Sequence, residues 1–442
     1  MANVAGTAPA PGRAETGESR SGLRGLVAAT EIDLRLFGML VALAFILLAF
    51  NLLTDGRFFS PGNMVTLTVQ AIPVAILATG MVLVIVSRNI DLSVGSVTGL
   101  IAMTYAALMT DWLPNALGMG ADFPFRWLIA LGIGIGLGAA IGAVQGFIIA
   151  YVGVPSFVVT LGGLLSIRGA IWYFSNGAAV TGLDPTFRLL GGGGRGSIGE
   201  MLTWGIGIVG CVAVVAALWN SRRQRRRFGF PVRPMWAELT LGALGCAAML
   251  GLSWFANGNY LAPALAAEYA QQHGIVEPPG GLKVPAGYPL PIILLIGVTV
   301  VMAWIATRRR FGRYVYAYGG NPDAAELAGI NTRFTILKTF MLMGVLAALS
   351  GAVVAARLNG ATLDIGSSYE LYVIAAAVVG GTSFAGGIGT IPGAVLGAFV
   401  MQALSYGLAF MGVNSPGQNV VAGIVLILAV AFDSWNRRRA TS

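Results

Sequence analysis

Apolar residues run through this chain in long, nearly unbroken segments that short polar stretches separate. Each segment is about 20 residues long, which is the length an α-helix needs to cross the hydrocarbon core of a bilayer. The segments are too continuous for the alternating pattern of a membrane β-barrel. The sequence therefore predicts an all-α, polytopic transmembrane helical bundle of about 12 spans. The predicted spans are 36–53, 64–86, 91–109, 127–151, 156–174, 199–219, 237–256, 289–306, 335–356, 370–385, 390–411 and 418–433.

Composition and charge support this class of protein. Of 442 residues, 56% are hydrophobic and only 10% are charged, so too few polar side chains remain to cover a soluble core. The net charge is +9, but the arginines cluster at the ends of apolar segments, at 222–227, 308–313 and 437–439. These clusters fall on one side of the membrane if the N-terminus is cytoplasmic, as the positive-inside rule requires. The charge therefore indicates topology and contact with lipid, and no nucleic-acid partner is predicted.

No catalytic, cofactor or metal site is predicted. Cys211 and Cys246 lie inside predicted spans, and the single histidine, His273, lies in a polar loop. The chain has no GxxxxGK[ST] loop to bind nucleotide phosphates. We therefore predict that the chain is not an enzyme and that, if ATP drives it, a separate subunit binds the ATP.

A basic, polar segment at 307–334 separates two predicted spans on the cytoplasmic side. Within it, Asn321-Pro322 predicts a helix start and Gly329 predicts its end. A compact, charged helix between two spans indicates a soluble partner that docks there. Ala324, Ala325 and Leu327 are expected to form the docking face, since small side chains permit close approach to a groove. The full set of coupling candidates is Asn321, Asp323, Ala324, Ala325, Glu326, Leu327 and Gly329.

The segment NIDLSVGS at 89–96 joins two predicted spans. Asp91 and Ser93 can cap the following helix, and Arg88 and Asn89 can pair with Asp91. A well-capped surface turn and the cytoplasmic end of a transport pathway both stay open. Amides, hydroxyls and aromatic faces suit a neutral, polyhydroxylated ligand such as a sugar. For the aromatic residues at 172–174, a belt at the membrane interface is the preferred interpretation. The pathway candidates are Gln70, Asn89, Asp91, Ser93, Ser96, Gln145, Tyr173 and Asn176.

Glycines mark two further features. The run at 380–389 breaks the apolar segment 370–396, as glycine clusters do where a helix lines a cavity or packs closely. A simple short loop between two spans at 380–392 is an equal alternative. A ladder with a four-residue period is expected to let helix backbones approach each other. Ordinary bundle packing is the preferred interpretation of this ladder, and a gate or dimer seam is the alternative. Its members are Gly134, Gly138, Gly142 and Gly146.

Three motifs together resemble one protein family. NIDLSVGS at 89–96, GGNPDAAELAGI at 319–330 and VVGGTSFAGGIGTIPGAVLGA at 378–398 are similar to motifs of the permease subunits of bacterial ABC sugar importers. This ribose/xylose/arabinose-type group is in turn similar to branched-chain amino acid permeases. The resemblance covers 35–176 and 289–435. Members usually have about ten spans, and the extra segment at 177–288 resembles xylose-type permeases.

The resemblance implies a permease homodimer in the bacterial plasma (inner) membrane that imports a monosaccharide, with D-xylose expected. It implies that two cytoplasmic ABC ATPase subunits dock on 307–334 and that a periplasmic or extracellular sugar-binding protein docks on the opposite side. The predicted organisation is a disordered cytoplasmic tail at 1–34, the N-terminal part of the core at 35–176, a two-span insertion with an outer loop at 177–288, the C-terminal part of the core at 289–435 and a cytoplasmic tail at 436–442.

Two other functions remain as alternatives. A branched-chain amino acid ABC permease would share the fold, but its zwitterionic ligand would require paired charges in the pathway. An ion-coupled secondary transporter would require a cluster of acids inside the membrane. No predicted span carries such a cluster of acids, and the amino acid permease stays open as an alternative.

Overall fold

The computed structural model describes residues 34–120, 123–276, 278 and 281–441, with side chains described between 35 and 431 in those ranges. The predicted tail at 1–34 lies almost wholly outside the described residues. The described helices are α1 (Leu34–Leu53), α2 (Pro61–Val86), α3 (Val94–Ala107), α4 (Leu113–Leu117), α5 (Arg126–Phe147), α6 (Ser156–Ser175), α7 (Pro185–Arg188), α8 (Gly199–Arg227), α9 (Met235–Asn257), α10 (Pro263–His273), α11 (Leu290–Arg308), α12 (Arg310–Gly320), α13 (Pro322–Leu327), α14 (Thr332–Leu358), α15 (Tyr369–Val379), α16 (Ile391–Phe410) and α17 (Ser415–Thr441).

The remaining regular structure is small. π-helical turns extend α3 over Leu108–Trp112 and α5 over Ile148–Val152. Two strands of two residues each, β1 (Val180–Thr181) and β2 (Gly360–Ala361), pair in antiparallel fashion. The predicted all-α class is therefore confirmed.

Nine helices in the described part of the chain are long and apolar enough to cross a bilayer, namely α1, α2, α5, α6, α8, α9, α11, α14 and α16. They coincide with nine of the predicted spans. The other three predicted spans correspond to α3, to the short α15 and to the apolar part of α17. The polytopic bundle is thus confirmed, and the count of about 12 spans remains a prediction.

Helices α2 and α14 form the centre of the bundle. Nearly all of α2 from Ala71 to Val86 is buried, and α14 is buried along most of its length. A helix that is apolar on all sides is stable in such a central position. Helix α5 lies along α14, where a Cβ atom at Gly138 or Gly142 would collide with the α14 backbone. These glycines of the ladder therefore allow close helix packing within one chain, which agrees with the preferred interpretation of ordinary bundle packing.

Helix α15 has 11 residues, and at 1.5 Å per residue it extends about 16 Å, which is too short for a hydrocarbon core about 30 Å thick. The helix ends at Val379, and turns lead through the glycine-rich run to α16. The break that the sequence predicted in this segment is present. Gly380 and Gly393 approach so closely that a side chain at either position would meet the other's backbone.

Helices α8 and α9 form an antiparallel hairpin in the predicted insertion, where two extra spans were expected. Gly207 of α8 lies against Ser253 of α9. The segment that follows α9 contains α10 and then passes the N-terminus of α8. Isolated β-bridges join Tyr260 to Pro285 and Ser197 to Pro289. The division of the chain into a core and an inserted unit remains a prediction. The predicted tail at 436–442 continues α17 as helix up to Thr441.

Candidate functional site

A buried polar cluster lies at the start of α3. The Ser93 backbone N–H and Oγ both donate to Asp91 Oδ1, at 2.8 and 2.7 Å. Gln145 Nε2 of α5 donates to Ser93 Oγ at 2.9 Å. All three side chains are at least nine-tenths buried. The cluster joins two helices through hydrogen bonds that a low-dielectric interior strengthens.

The expected cap is provided by one residue of the predicted pair. Asp91 accepts from the backbone at the start of α3, whereas the Ser93 side chain makes no capping bond and instead links Asp91 to Gln145. The expected pairing of Arg88 and Asn89 with Asp91 is wrong. Asn89 Nδ2 donates to Ser87 O at 2.8 Å, and Arg88 points away towards α12.

The cluster lies inside the bundle, because the backbone just before it, at Ile90, runs beside the first turns of α6. Ile90 N–H donates to Ser156 Oγ, and Thr160 Oγ1 donates to Ile90 O, both at 3.2 Å. Gly163 of α6 lies against Gln145, and a Cβ there would collide with its amide. Gly163 is seven residues into α6, so the cluster lies about 10 Å from that end of the helix. Non-helical backbone at this depth requires burial in protein, as found here.

A second irregular segment enters the bundle from the opposite side. Residues between β2 and α15 reach the start of α3, where the Gly366 backbone touches Gly95. Arg168 of α6 holds this segment by donating from Nη1 to the carbonyl oxygens of Leu363 and Ile365, at 3.1 and 3.0 Å. The first turns of α3 and α15 therefore meet inside the bundle. Interrupted helices of this kind are typical of substrate sites in transporters.

The space beside the polar cluster, between α3, α5 and α14, is small. A cavity of about 10 Å³ lies among Asp91, Gln145 and the α14 residues Phe340 and Met343. That volume is no larger than one water molecule requires. The cavity beside the cluster is therefore too small for a ligand larger than a water molecule.

The pathway candidates divide into two groups. Asn89 and Ser96 lie beside the cluster, and Ser96 Oγ donates to Leu164 O of α6 at 3.0 Å. Gln70 lies elsewhere, paired with Gln402 at 3.4 Å. Tyr173 and Asn176 are exposed at the far end of α6, and Tyr173 is 78% exposed. The structure thus brings Asn89, Asp91, Ser93, Ser96 and Gln145 together and leaves Gln70, Tyr173 and Asn176 apart from them.

Three residues outside the set of pathway candidates also contribute to this region. Gly163, Arg168 and Glu370 all lie against it, and Glu370 is next to Gly95. The signals for the first two were the Gly162-Gly163 pair and an arginine inside an apolar segment. Nothing in the sequence around Glu370 indicated that α15 begins beside α3. Among the described residues, no group of three or more histidine, cysteine or acidic side chains could hold a metal ion.

The coupling candidates form a capped turn of helix. Asn321 Oδ1 accepts from Ala324 N–H at 3.0 Å, and Pro322 occupies the first turn of α13. Gly329 follows α13 with a φ of +78°, which favours glycine, and its N–H donates to Glu326 O at 2.9 Å. The predicted start and end of this helix are therefore present. Glu326 also accepts a bond from Thr332 of α14 at 2.9 Å, which ties α13 to the next span.

The exposed face of α13 differs in one residue from the expected docking face. Leu327 is 91% exposed, and Ala324 and Asp323 are exposed beside it. Ala325 is only 4% exposed, because it turns towards its own chain. Of the three residues expected on the docking face, Ala324 and Leu327 are therefore exposed, whereas Ala325 is buried.

Side chains of Arg88 and Tyr316 join the 307–334 segment to its neighbours in the bundle. Arg88, directly after α2, donates from Nε to Gly319 O at 2.8 Å and from Nη2 to Gly320 O at 2.9 Å. Tyr316 Oη donates to Gly389 O at 2.7 Å, and Gly387 N–H donates to Val86 O at 3.0 Å. Burial raises the pKa of the Tyr316 phenol, so this group remains a neutral donor. Helix α12 is therefore attached both to the segment that leads to Asp91 and to the α15–α16 turn.

Comparison with known proteins identifies the family. Residues 63–430 match the family described as branched-chain amino acid transport system / permease component. The chain belongs to this permease family. The match includes the polar cluster, the segment 307–334 and the glycine-rich turn. The first two motifs on which the resemblance rested thus coincide with the two sites described above.

Curated relatives of the permease cover almost the whole chain. The xylose transport system permease protein XylH of Escherichia coli (strain K12) is 36% identical over 409 residues, 92% of this chain and 94% of the relative. XylH of Haemophilus influenzae is 34% identical over 410 residues, 92% of this chain and 98% of the relative. The ribose import permease protein RbsC of E. coli (strain K12) is 30% identical over 380 residues, 86% of this chain and 87% of the relative. No solved structure matches this chain.

Proposed function

We propose that this chain is the membrane-spanning permease subunit of a bacterial ABC importer for a monosaccharide, most specifically D-xylose, in the plasma (inner) membrane. The observation that carries the proposal is the similarity to xylose and ribose permeases over nearly the full chain. The exposed, capped helix α13 supports it, because such a helix suits a soluble partner that supplies the ATP site. In this proposal the chain catalyses no reaction and needs no cofactor.

Two partner proteins follow from the proposal, together with a second copy of the permease. A cytoplasmic ABC ATPase would receive α13 in a groove, with Leu327 as the apolar contact and Asp323 and Glu326 beside it. A periplasmic or extracellular sugar-binding protein would deliver the ligand on the opposite side. Movement of α13 would reach the interior through Arg88, because that residue grips the end of α12 and directly precedes the segment leading to Asp91.

The charges around the cluster favour a neutral ligand. Asp91 is occupied by the two bonds from Ser93, and Arg168 is occupied by two backbone carbonyl oxygens. Arg168 also lies near the carboxylates of Glu370 and Asp364, so its positive charge is compensated within the chain rather than held free for a zwitterion. Ser93 and Gln145 are neutral, and in a transport step sugar hydroxyls would replace the hydrogen bonds that these two side chains now make with each other and with Asp91. This argument favours a sugar over a branched-chain amino acid.

Uptake by proteoliposomes would test the proposal. The permease is reconstituted with the ATPase and the binding protein of its own system, and labelled xylose, ribose and leucine are offered in turn. We expect xylose uptake that requires ATP on the ATPase side and is unaffected by collapse of the proton gradient. Uptake that follows the proton gradient without ATP would establish a secondary transporter instead. ATP-dependent uptake of leucine but not of sugars would establish an amino acid permease.

A further inference from the structure

We propose that the α8–α9 hairpin holds an anionic phospholipid in a groove between its two helices. The groove has a volume of about 930 Å³. Its lining from α8 is Val215, Leu218, Trp219, Arg222, Arg223 and Arg226. These positions follow the 3–4 residue spacing of a single helix face. Helix α9 contributes a face with the same spacing, from Met235 to Cys246.

The groove matches a lipid in length and polarity. From Val215 to Arg226 the helix rises about 16 Å, which is close to one leaflet of a hydrocarbon core about 30 Å thick. The deeper part of the lining is apolar, and the arginines lie together at one end. Trp219 is 74% exposed just before them, at the position where aromatic side chains mark the boundary between acyl chains and headgroups. The groove thus offers an apolar wall for an acyl chain and cations for a phosphate.

The charge at this end is in excess. Residues 222–238 contain six arginines and one carboxylate. That carboxylate, on Glu238, pairs with Arg222 at 2.5 Å. Arg223 and Arg226 also line the groove and are exposed, and no salt bridge within the described part of the chain engages them. Basic pockets between membrane helices bind anionic headgroups by this arrangement.

A second copy of the chain fits the same groove poorly. A two-fold contact brings each surface patch onto its own copy, so the two arginine clusters would face each other. Like charges at such close range are repelled, most strongly where lipid excludes water. An anionic lipid instead neutralises the cluster and covers the apolar wall.

Photocrosslinking in membranes tests this inference. The purified permease is reconstituted in phosphatidylcholine vesicles that contain a trace of phosphatidylglycerol with a photoreactive acyl chain, and labelled peptides are mapped by mass spectrometry. We expect labelling on α8 and α9. Each arginine near a headgroup raises the affinity for an anionic lipid about fivefold. The concentration of unlabelled phosphatidylglycerol that displaces half of the probe should therefore be about thirtyfold lower for the wild type than for Arg223→Gln/Arg226→Gln. Ala243→Trp, which fills the groove at an exposed position, should also remove the labelling.

Arg227→Gln is the matched control. Arg227 lies in the same helical turn and carries the same charge, but it stacks near Phe228 and does not line the groove. It should retain the wild-type labelling and competition. Equal displacement by phosphatidylcholine, or an equal loss in Arg227→Gln, would overturn the proposal. A smaller oligomer in Ala243→Trp with labelling unchanged would show that a second copy occupies the groove.

Discussion

Arg88→Gln removes the two hydrogen bonds that join the end of α12 to the connection between α2 and α3. In the structure, Nε and Nη2 of Arg88 donate to Gly319 O and Gly320 O at 2.8 and 2.9 Å. Arg88 has a φ of +59°, and glutamine would adopt the same left-handed backbone at a similar cost. The substitution therefore tests the side-chain bonds and leaves the backbone strain nearly unchanged.

The magnitude follows from the exposure of the two bonds. A hydrogen bond from a charged donor contributes about 1.5–3 kcal/mol when it is buried, but Arg88 is largely exposed to water. We therefore count the partly buried Nε bond at about 1 kcal/mol and the exposed Nη2 bond at less than about 0.5 kcal/mol. Together they amount to about 1.4 kcal/mol, or a tenfold change in an equilibrium that depends on this contact.

The assay compares sugar uptake with ATP hydrolysis in the reconstituted importer. We expect Arg88→Gln to lower uptake per ATP hydrolysed by about tenfold while basal hydrolysis stays near the wild-type rate, since the α13 surface is unchanged. Arg313→Gln is the control, because Arg313 belongs to α12 and, within the described residues, its side chain donates to Arg308 O at 3.1 Å and not to a distant segment. Unchanged uptake in Arg88→Gln, or an equal loss in Arg313→Gln, would refute the role of Arg88 as the link.

Three further outcomes are expected. Gly329→Asp should abolish uptake and sugar-stimulated ATP hydrolysis while membrane insertion persists, because it strains a left-handed position and adds a negative charge at the end of α13; full uptake would contradict the assignment. Gly138→Leu should destabilise the bundle by about 3 kcal/mol in thermal unfolding, since α14 backbone blocks its side chain, whereas Gly136→Leu, with nothing within 4 Å, should unfold like the wild type. Gln145→Ala should lower the uptake rate more than it alters sugar preference; a changed preference with the same binding protein would argue for a selective site in the membrane.

Several features were within reach of the sequence because they depend on local patterns. Apolar run length indicated the membrane helices, and nine predicted spans recur as long apolar helices. Asn321-Pro322 and Gly329 fixed the limits of α13, because capping and left-handed geometry are decided within a few residues. The glycine run at 380–389 marked the end of α15 for the same reason.

Contacts between distant segments were decided only by the tertiary structure. Helical periodicity shows which residues share a face, but it does not show which neighbour that face meets. Gln145 therefore joined Ser93 while Gln70 paired with Gln402 outside the cluster, although both were equally plausible pathway candidates in the sequence. Arg88 behaved likewise: the nearest acid, Asp91, was already occupied by Ser93, and the guanidinium bonded to carbonyl oxygens more than 200 residues away. Such pairings depend on how the helices are arranged in three dimensions, and a one-dimensional pattern of polarity does not contain that arrangement.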